Sequence, residues 1–167
     1  MLDVTAGNRM LWPNKNPPNT IFLDKETQLK VPPDIFASWF RLPFRHDVID
    51  CIMFDPPHAI GFSKTSIHSN PKAIKGSWWG YFSSRADMIR SLVKAQKEFA
   101  KISKRLLLKW NDSTVSLWNI LPLFNCWHEI NRWEKKSGSN VSRSQTFWVT
   151  FINSEFTSKR EDENVLS

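Results

Sequence analysis

Several features are scarce in this 167-residue sequence, and each scarcity excludes a class of protein. No apolar run approaches the roughly 18 residues that a membrane span requires. Residues 1–4 show neither the basic start nor the apolar stretch of a signal peptide. We therefore expect a cytoplasmic protein that does not bind a membrane. Glycine occurs only five times, which excludes a collagen-like chain.

Cysteine is also rare. Cys51 lies in an apolar run and Cys126 lies beside Trp127, so the two could form at most one disulfide. Neither lies in a C-x-x-C pair or in a Cys/His cluster with the spacing of metal ligands. Because free cysteines are usually buried, we expect two buried thiols and no metal site.

Apolar and aromatic residues, in contrast, are abundant. Hydrophobic residues make up 41% of the chain, with nine Trp and twelve Phe, which is typical of a packed globular protein. The length and the lack of an internal Gly/Ser linker predict one domain over residues 1–153. Residues 154–167 hold six charges and few apolar side chains, so we expect a disordered tail there.

The net charge of +7 is distributed unevenly. Residues 63–109 hold eleven Lys and Arg against Asp87 and Glu98, whereas the rest of the chain is slightly acidic. Within residues 84–104, apolar and basic residues each recur at helical spacing on opposite sides, which predicts an amphipathic helix with a capping box at Ser84 and Asp87. A solvated helix face is the favoured explanation of its charges, ahead of a nucleic-acid groove.

Residues 63–83 have no helical or alternating period. Their basic and aromatic side chains are interleaved, as in surfaces that hold phosphates with cations and bases with ring faces. The alternative is an ordered lid that packs on the core. The candidates for contacting nucleic acid are Lys64, Lys72, Lys75, Trp78 and Trp79.

The order of elements predicts an α/β protein with a mostly parallel sheet and a closing antiparallel hairpin. A helical segment is expected over 116–124. The expected strands are residues 2–5, 20–23, 34–38, 48–54, 105–110, 126–133 and 145–153.

Residues suited to ligand binding follow several of these strands. The carboxyl ends of parallel strands meet at one edge of a sheet, where ligands bind. Gly7 permits a tight turn near a ligand, Asp24 can accept hydrogen bonds from ribose hydroxyls, and Trp39 or Phe40 can stack on adenine. A glycine after a strand is usually only a turn, so the first loop alone indicates a cofactor weakly.

The turn Asp55-Pro56-Pro57-His58 is more specific. Two prolines make the backbone rigid, so the Asp55 carboxylate and the Pro56 carbonyl can point at one exocyclic NH₂ group. Hydrogen bonds to both N–H groups draw the nitrogen lone pair out of conjugation with the base ring. The nitrogen is then free to attack an electrophile. The His58 ring can stack on a base turned out of its helix. The alternative is an ordinary acidic turn after a strand.

This turn resembles the fourth motif of class I S-adenosylmethionine-dependent amino-methyltransferases, which have a [D/N/S]-P-P-[aromatic] signature. The sequence is most similar to the small single-domain members found in phages and prophages, over about residues 2–152. The resemblance implies a Rossmann-like fold with about seven strands, a C-terminal antiparallel hairpin and helices on both faces. Seven segments carry it: LDVTAGNRMLW with Lys15, FLDK, ASWFRLPF, DCIMFDPPHAIG, SWWGYF, LLLKWND and TFWVTF.

The resemblance also implies roles for individual residues. The methionine part of S-adenosylmethionine would lie against Asp3, Thr5, Ala6 and Gly7. Its ribose would bind Asp24, and its adenine would lie between Ser38 and Trp39. The target amino group would be held by Asp55, Pro56, Pro57 and His58, with Phe54 supporting the end of the strand.

The expected reaction is methyl transfer to an exocyclic amine of a nucleobase in DNA or RNA. Adenine N6 is favoured over cytosine N4, because the motif begins with Asp. Since there is no separate target-recognition domain, a second copy or a partner could supply specificity. Two alternatives stay open: a weakly active or inactive nucleic-acid-binding protein on the same scaffold, and methylation of a protein or small-molecule amine.

Overall fold

The computed structural model describes residues 1–60, 82–136 and 145–155. These residues form one seven-stranded sheet. Its strands are β1 Leu2–Asp3, β2 Ile21–Asp24, β3 Ile35–Phe36, β4 Ile49–Phe54, β5 Ser103–Asn111, β6 Trp127–Lys136 and β7 Gln145–Asn153. The helices are α1 Arg85–Ile102, α2 Leu117–Ile120 and a 3₁₀ turn, Leu121–Leu123.

The strand order is β3-β2-β1-β4-β5-β7-β6. The first five strands in that order are mutually parallel, and β7 runs antiparallel between β5 and β6. The expected mixed sheet with a C-terminal hairpin is therefore confirmed. Because the parallel strands end at one edge, the loops that follow β1, β2 and β4 lie side by side.

Helix α1 connects β4 to β5 and has the predicted amphipathic character. Its buried face includes Met88, Leu92 and Phe99. The Ser84 hydroxyl caps the helix by accepting a hydrogen bond from the Asp87 backbone N–H at 3.1 Å. The capping box is modified, because the Asp87 carboxylate reaches back to Ser83 rather than to Ser84.

Both described helices lie on the same face of the sheet. Leu117 and Ile120 of α2 join the buried residues of α1 in one core cluster. The Trp127 indole N–H also donates to the Gln96 carbonyl of α1 at 3.1 Å, which ties β6 to the helix. Pro122 follows α2 and lies in the 3₁₀ turn. Proline lacks an N–H donor, which is why the predicted helical segment is short.

The opposite face differs from the expectation of helices on both faces. Residues 4–20, 25–34 and 37–48 connect the first four strands without an α-helix. The first two connections contain five prolines, which disfavour helix interiors. Segment 4–20 covers this side of β2 instead, with the Trp12 ring packed edge-on against Phe22 at 5.5 Å between centroids.

The remaining elements differ from prediction mainly at their ends. Strand β7 has the predicted bounds, whereas β6 continues to residue 136, three residues beyond its predicted end. The tail expected at 154–167 lies outside the described residues from position 156 onward. No helix in the described part of the chain is long and apolar enough to cross a membrane.

Candidate functional site

The first loop turns sharply after β1 and is held by Asp3. This carboxylate is 1% exposed and accepts hydrogen bonds from the Thr5 N–H at 3.0 Å and from the Trp12 indole N–H at 2.7 Å. Gly7 has a φ of +49°, in the left-handed region that glycine tolerates best. No atom lies within 4 Å of the position that a Gly7 side chain would take, so space is open above the turn.

Asp24, at the end of β2, is bound directly to this loop. Its Oδ2 accepts the Gly7 N–H at 2.8 Å, and its Oδ1 accepts the Glu26 N–H at 2.9 Å. The carboxylate is only partly buried. Each oxygen can accept a further hydrogen bond, so a diol could still bind Asp24.

The Asp55 turn meets the same loop. The Asp55 N–H donates to the Thr5 hydroxyl oxygen at 2.8 Å, and the Val4 N–H donates to the Met53 carbonyl at 3.1 Å. The ends of β1 and β4 are therefore joined, as the parallel register requires. Pro56 is buried, which fixes the turn further.

Lys109 of β5 completes this cluster. Its ammonium group lies 2.8 Å from Asp55 Oδ2, and the Lys109 and Asp55 side chains are only 20% and 16% exposed, respectively. No hydrogen bond to Asp55 Oδ1 comes from the described residues, so that oxygen is available on the side away from Lys109. One carboxylate oxygen is thus fixed by a cation while the other can accept a substrate proton.

Burial perturbs the titration of three groups here. It raises the pKa of Asp3 to about 6, even though the Trp12 and Thr5 donors oppose the rise. Burial also raises the pKa of Asp55, with Lys109 acting in the other direction. For His58, burial lowers the pKa, which favours a neutral imidazole at pH 7. Perturbed groups of this kind concentrate at functional sites.

The residues after β3 form a local turn, and the adenine contacts expected at Ser38 and Trp39 stay a prediction. The Ser38 hydroxyl accepts the Phe40 N–H at 3.3 Å in a local turn. Trp39 is 8% exposed and packs against Phe54 at 4.7 Å between ring centroids, which leaves it little surface for a ligand. Phe40 is partly exposed and is the more accessible ring at this position.

Sequence reasoning gave no role to two of the side chains that hold the site. Lys109 is a lone cation between Leu108 and Trp110, and its position beside Asp55 follows only once β4 and β5 are in register. A cation interrupting an apolar strand is the signal that could have found it. Arg9 lies over the Phe22 ring at 3.9 Å and binds Asp34. No sequence signal pointed to Arg9.

The predicted nucleic-acid contacts Lys64, Lys72, Lys75, Trp78 and Trp79 all lie outside the described residues. The described neighbours of that segment are close to the site. Ile60 and Phe82 form a β-bridge, and the Phe82 N–H donates to the Ala59 carbonyl at 3.0 Å. The chain before residue 61 and the chain after residue 81 are therefore bound to each other, starting one residue after His58.

Comparison with known proteins gives matches by structure only. No protein-family model and no curated protein matches the sequence. N-methyltransferase NodS from Bradyrhizobium japonicum WM9 superposes with a TM-score of 0.55 and 8% identity, covering 91% of this chain and 84% of NodS. A NodS complex with S-adenosyl-L-homocysteine gives a TM-score of 0.53 and 9% identity, with 92% and 76% covered.

A SAM-dependent methyltransferase from Methanosarcina mazei is similar to the same extent. Its TM-score is 0.55 at 8% identity, and 91% of each chain is covered. These identities are too low to assign an activity, but the agreement extends over nearly the whole chain. The chain therefore has the Rossmann-like fold of the class I S-adenosylmethionine-dependent methyltransferases.

Proposed function

We propose that this protein is an S-adenosylmethionine-dependent N-methyltransferase that acts in the cytoplasm. Its substrate is an exocyclic amino group of a nucleobase in DNA or RNA, with adenine N6 favoured. The observation that carries the proposal is the junction between two loops: the Asp55 N–H bound to the Thr5 hydroxyl at 2.8 Å. This contact brings an amine-binding turn beside a loop of the kind that holds the cofactor. NodS is an N-methyltransferase, which supports the reaction class.

The first two loops fit the cofactor. Gly7 leaves open space above its turn, and Asp24 projects a partly exposed carboxylate next to it. Asp24 would hold the ribose through the acceptor positions that Gly7 and Glu26 leave unused. When bound, S-adenosylmethionine supplies a methyl group on a positively charged sulfur, already activated for direct displacement.

The Asp55 turn would prepare the amine. Asp55 Oδ1 and the Pro56 carbonyl accept one N–H each, which localises the lone pair on nitrogen. Lys109 holds Asp55 Oδ2, so the carboxylate cannot rotate away. The amine nitrogen would form a bond to the methyl carbon as the carbon–sulfur bond breaks and its electron pair stays on sulfur. The nitrogen would then lose one proton to Asp55 or to solvent. Positioning supplies most of the rate enhancement in such a reaction.

His58 would support the base. Its lowered pKa favours an uncharged ring at neutral pH, because burial disfavours the imidazolium form. A neutral flat ring beside the Asp55 carboxylate can stack on an extrahelical base without bringing a second cation.

The experiment is transfer of labelled methyl from S-adenosylmethionine to mixed DNA and RNA, followed by digestion and identification of the modified nucleoside. We expect labelled N6-methyladenosine or its deoxy form. Asp55→Ala should abolish the label. Asp50→Ala, which removes an exposed acid from the same strand, is the matched control and should keep it. Equal labelling by wild type and Asp55→Ala would refute the assignment of the turn.

A second candidate is nucleic-acid binding without turnover on the same scaffold. The burial of Trp39 favours it, since an adenine would have less ring surface to stack on. Calorimetry separates the two: a binder without turnover gives no heat with S-adenosylmethionine, whereas the enzyme does.

A further inference from the structure

In the half of the sheet formed by β5, β7 and β6, neither described helix covers the face opposite α1 and α2, and its side chains are partly or fully exposed; we call it the open face. Side chains along strands β5, β7 and β6 alternate between the two faces of the sheet. Every second side chain therefore projects away from the core formed with α1 and α2. Leu106, Val149 and Phe151 point into that core. Their neighbours along each strand project from the other face, where Arg105 is exposed and Trp133 is 45% exposed.

The pairing register places a row of functional side chains across this open face. Leu108 pairs with Phe54, so Lys109 lies beside Asp55, as their 2.8 Å contact also shows. Lys109 in turn pairs with Trp148, and Trp148 pairs with Trp133. Three strand spacings separate the ends of the row, about 14 Å. The row therefore runs from the Asp55 turn to the outer edge of the sheet.

Its aromatic end presents a stacked platform. The rings of Trp133 and Trp148 lie 5.9 Å apart between centroids, with an angle of 2° between their planes. Trp133 is 45% exposed, although tryptophan is highly buried on average. Parallel indoles on a sheet surface, one exposed and one partly exposed, are suited to stacking with unpaired bases.

The charged side chains at open-face positions of β5, β6 and β7 are all basic, whereas the helix side carries both signs, since Arg132 pairs with Val149 there. Arg105, Lys109 and Lys135 occupy register positions on the open face. Glu129 and Glu134 pair with Phe151 and Phe147, whose side chains point to the helix side. The strand positions of the open face thus carry three basic and no acidic side chains, and although Lys109 is paired with Asp55, Arg105 and Lys135 complement an anion.

We propose that this open face binds the substrate as single-stranded nucleic acid. Nucleotides flanking the target base stack on Trp133 and Trp148, and their phosphates lie near Arg105 and Lys135. The inference rests on the proposed function for the identity of the target base, and it adds the path of the strand. It does not depend on the nucleic-acid contacts that the sequence predicts within residues 61–81.

The first test measures binding without S-adenosylmethionine, using the full chain and a fluorescently labelled 15-nucleotide poly(dA) or poly(A) strand. Anisotropy should give a Kd for wild type that Trp133→Ala raises about tenfold, since each stacked base contributes substantially. Trp118→Ala is the matched control. Trp118 is 63% exposed but lies on α2, on the helix side, where Arg132 covers its ring. It should leave the Kd unchanged.

A second pair of variants tests the charges. Arg105→Gln with Lys135→Gln should weaken binding and flatten its dependence on salt. Lys97→Gln, on the exposed face of α1, should do neither. If Trp133→Ala fails to fold by circular dichroism, Trp133→Phe and the charge variants still test the face.

The outcomes separate this inference from the proposed function. Suppose that the wild type methylates nucleosides but that the Trp133 and charge variants bind the strand as tightly as the wild type. This result would overturn strand binding by the open face and would leave the proposed methyl transfer supported. Trp133-dependent strand binding without methyl transfer would support the face and overturn the proposed reaction. Preference for duplex over single strand, or a dimer in sedimentation that Trp133→Ala dissociates, would also overturn the face.

Discussion

At the scale of single residues, the candidate site depends on a few buried polar contacts. Asp3, Thr5 and Asp55 are linked in a chain: the Thr5 hydroxyl accepts from Asp55 and lies 3.5 Å from the Asp3 carboxylate, to which it can donate. Lys109 then balances the Asp55 charge. The Asp55 turn is positioned by these side chains, so changes in their charge should be measurable as changes in pH dependence.

Lys109→Met tests the ion pair directly. Burial already raises the pKa of Asp55, and loss of the nearby cation should raise it further, because Lys109 favours the ionised carboxylate. Asp55 must be ionised to accept the amine protons, so the acid limb of the methyl-transfer profile should move to higher pH. Lys109→Arg should restore most of the wild-type profile. An unshifted profile in Lys109→Met would contradict a positioning role for Lys109.

Asp3→Asn tests the buried carboxyl. The folded-state pKa of Asp3, about 6, lies above its ordinary value of 3.8, so protonated Asp3 favours folding. This contribution is fully present below pH 3.8 and is lost as pH rises through 6. Relative to Asp3→Asn, wild type should lose about 2 kcal/mol of unfolding free energy between pH 4 and pH 7. Urea denaturation at pH 4 and pH 7 measures this loss. If the unfolding free energies of wild type and Asp3→Asn differed by the same amount at both pH values, the raised pKa would be refuted.

At the scale of elements, helix α1 links the central parallel strands to the antiparallel half of the sheet. It is capped at Ser84, and through Gln96 it binds the start of β6. The Gln96 amide is fully buried and donates to Asn125 at 2.8 Å, so its polar atoms are satisfied. This network joins two elements that are 30 residues apart in sequence.

Ser84→Ala tests the helix start. It removes the oxygen that accepts the Asp87 N–H, and we expect about 1 kcal/mol less unfolding free energy. Lys97→Ala, exposed on the same helix, is the control and should change stability little. Thermal and urea unfolding measure both. Equal stabilities would show that the cap contributes nothing.

Elements with a strong period could be predicted from the sequence, and the connections could not. The apolar period of α1 and the alternation of β7 depend on local burial, so both were predicted closely. The connections after β1, β2 and β3 lack a period, and their fold depends on distant partners such as Phe22 and Asp34 for Arg9. The Lys109 contact likewise required the register between two strands.

At the scale of the whole molecule, the sheet combines a standard topology with an unusual cover. Its fold superposes on solved methyltransferases at 8–9% identity, with TM-scores of 0.55 and 0.53. A shared topology with little sequence identity is expected when burial patterns, rather than individual residues, specify the fold. Among residues 1–60, 82–136 and 145–155, loops instead of helices cover one face near the first loop, and the β5-β7-β6 half of that face presents exposed side chains such as Trp133.

The central claim is that the loops after β1 and β2 form a cofactor site beside the Asp55 turn. Isothermal titration of the full chain with S-adenosylmethionine tests it most directly. We predict one site per chain for wild type and for Asp50→Ala, and at least tenfold weaker binding for Asp24→Ala, whose carboxylate would hold the ribose. No heat with wild type, or equal affinity in Asp24→Ala, would contradict the account.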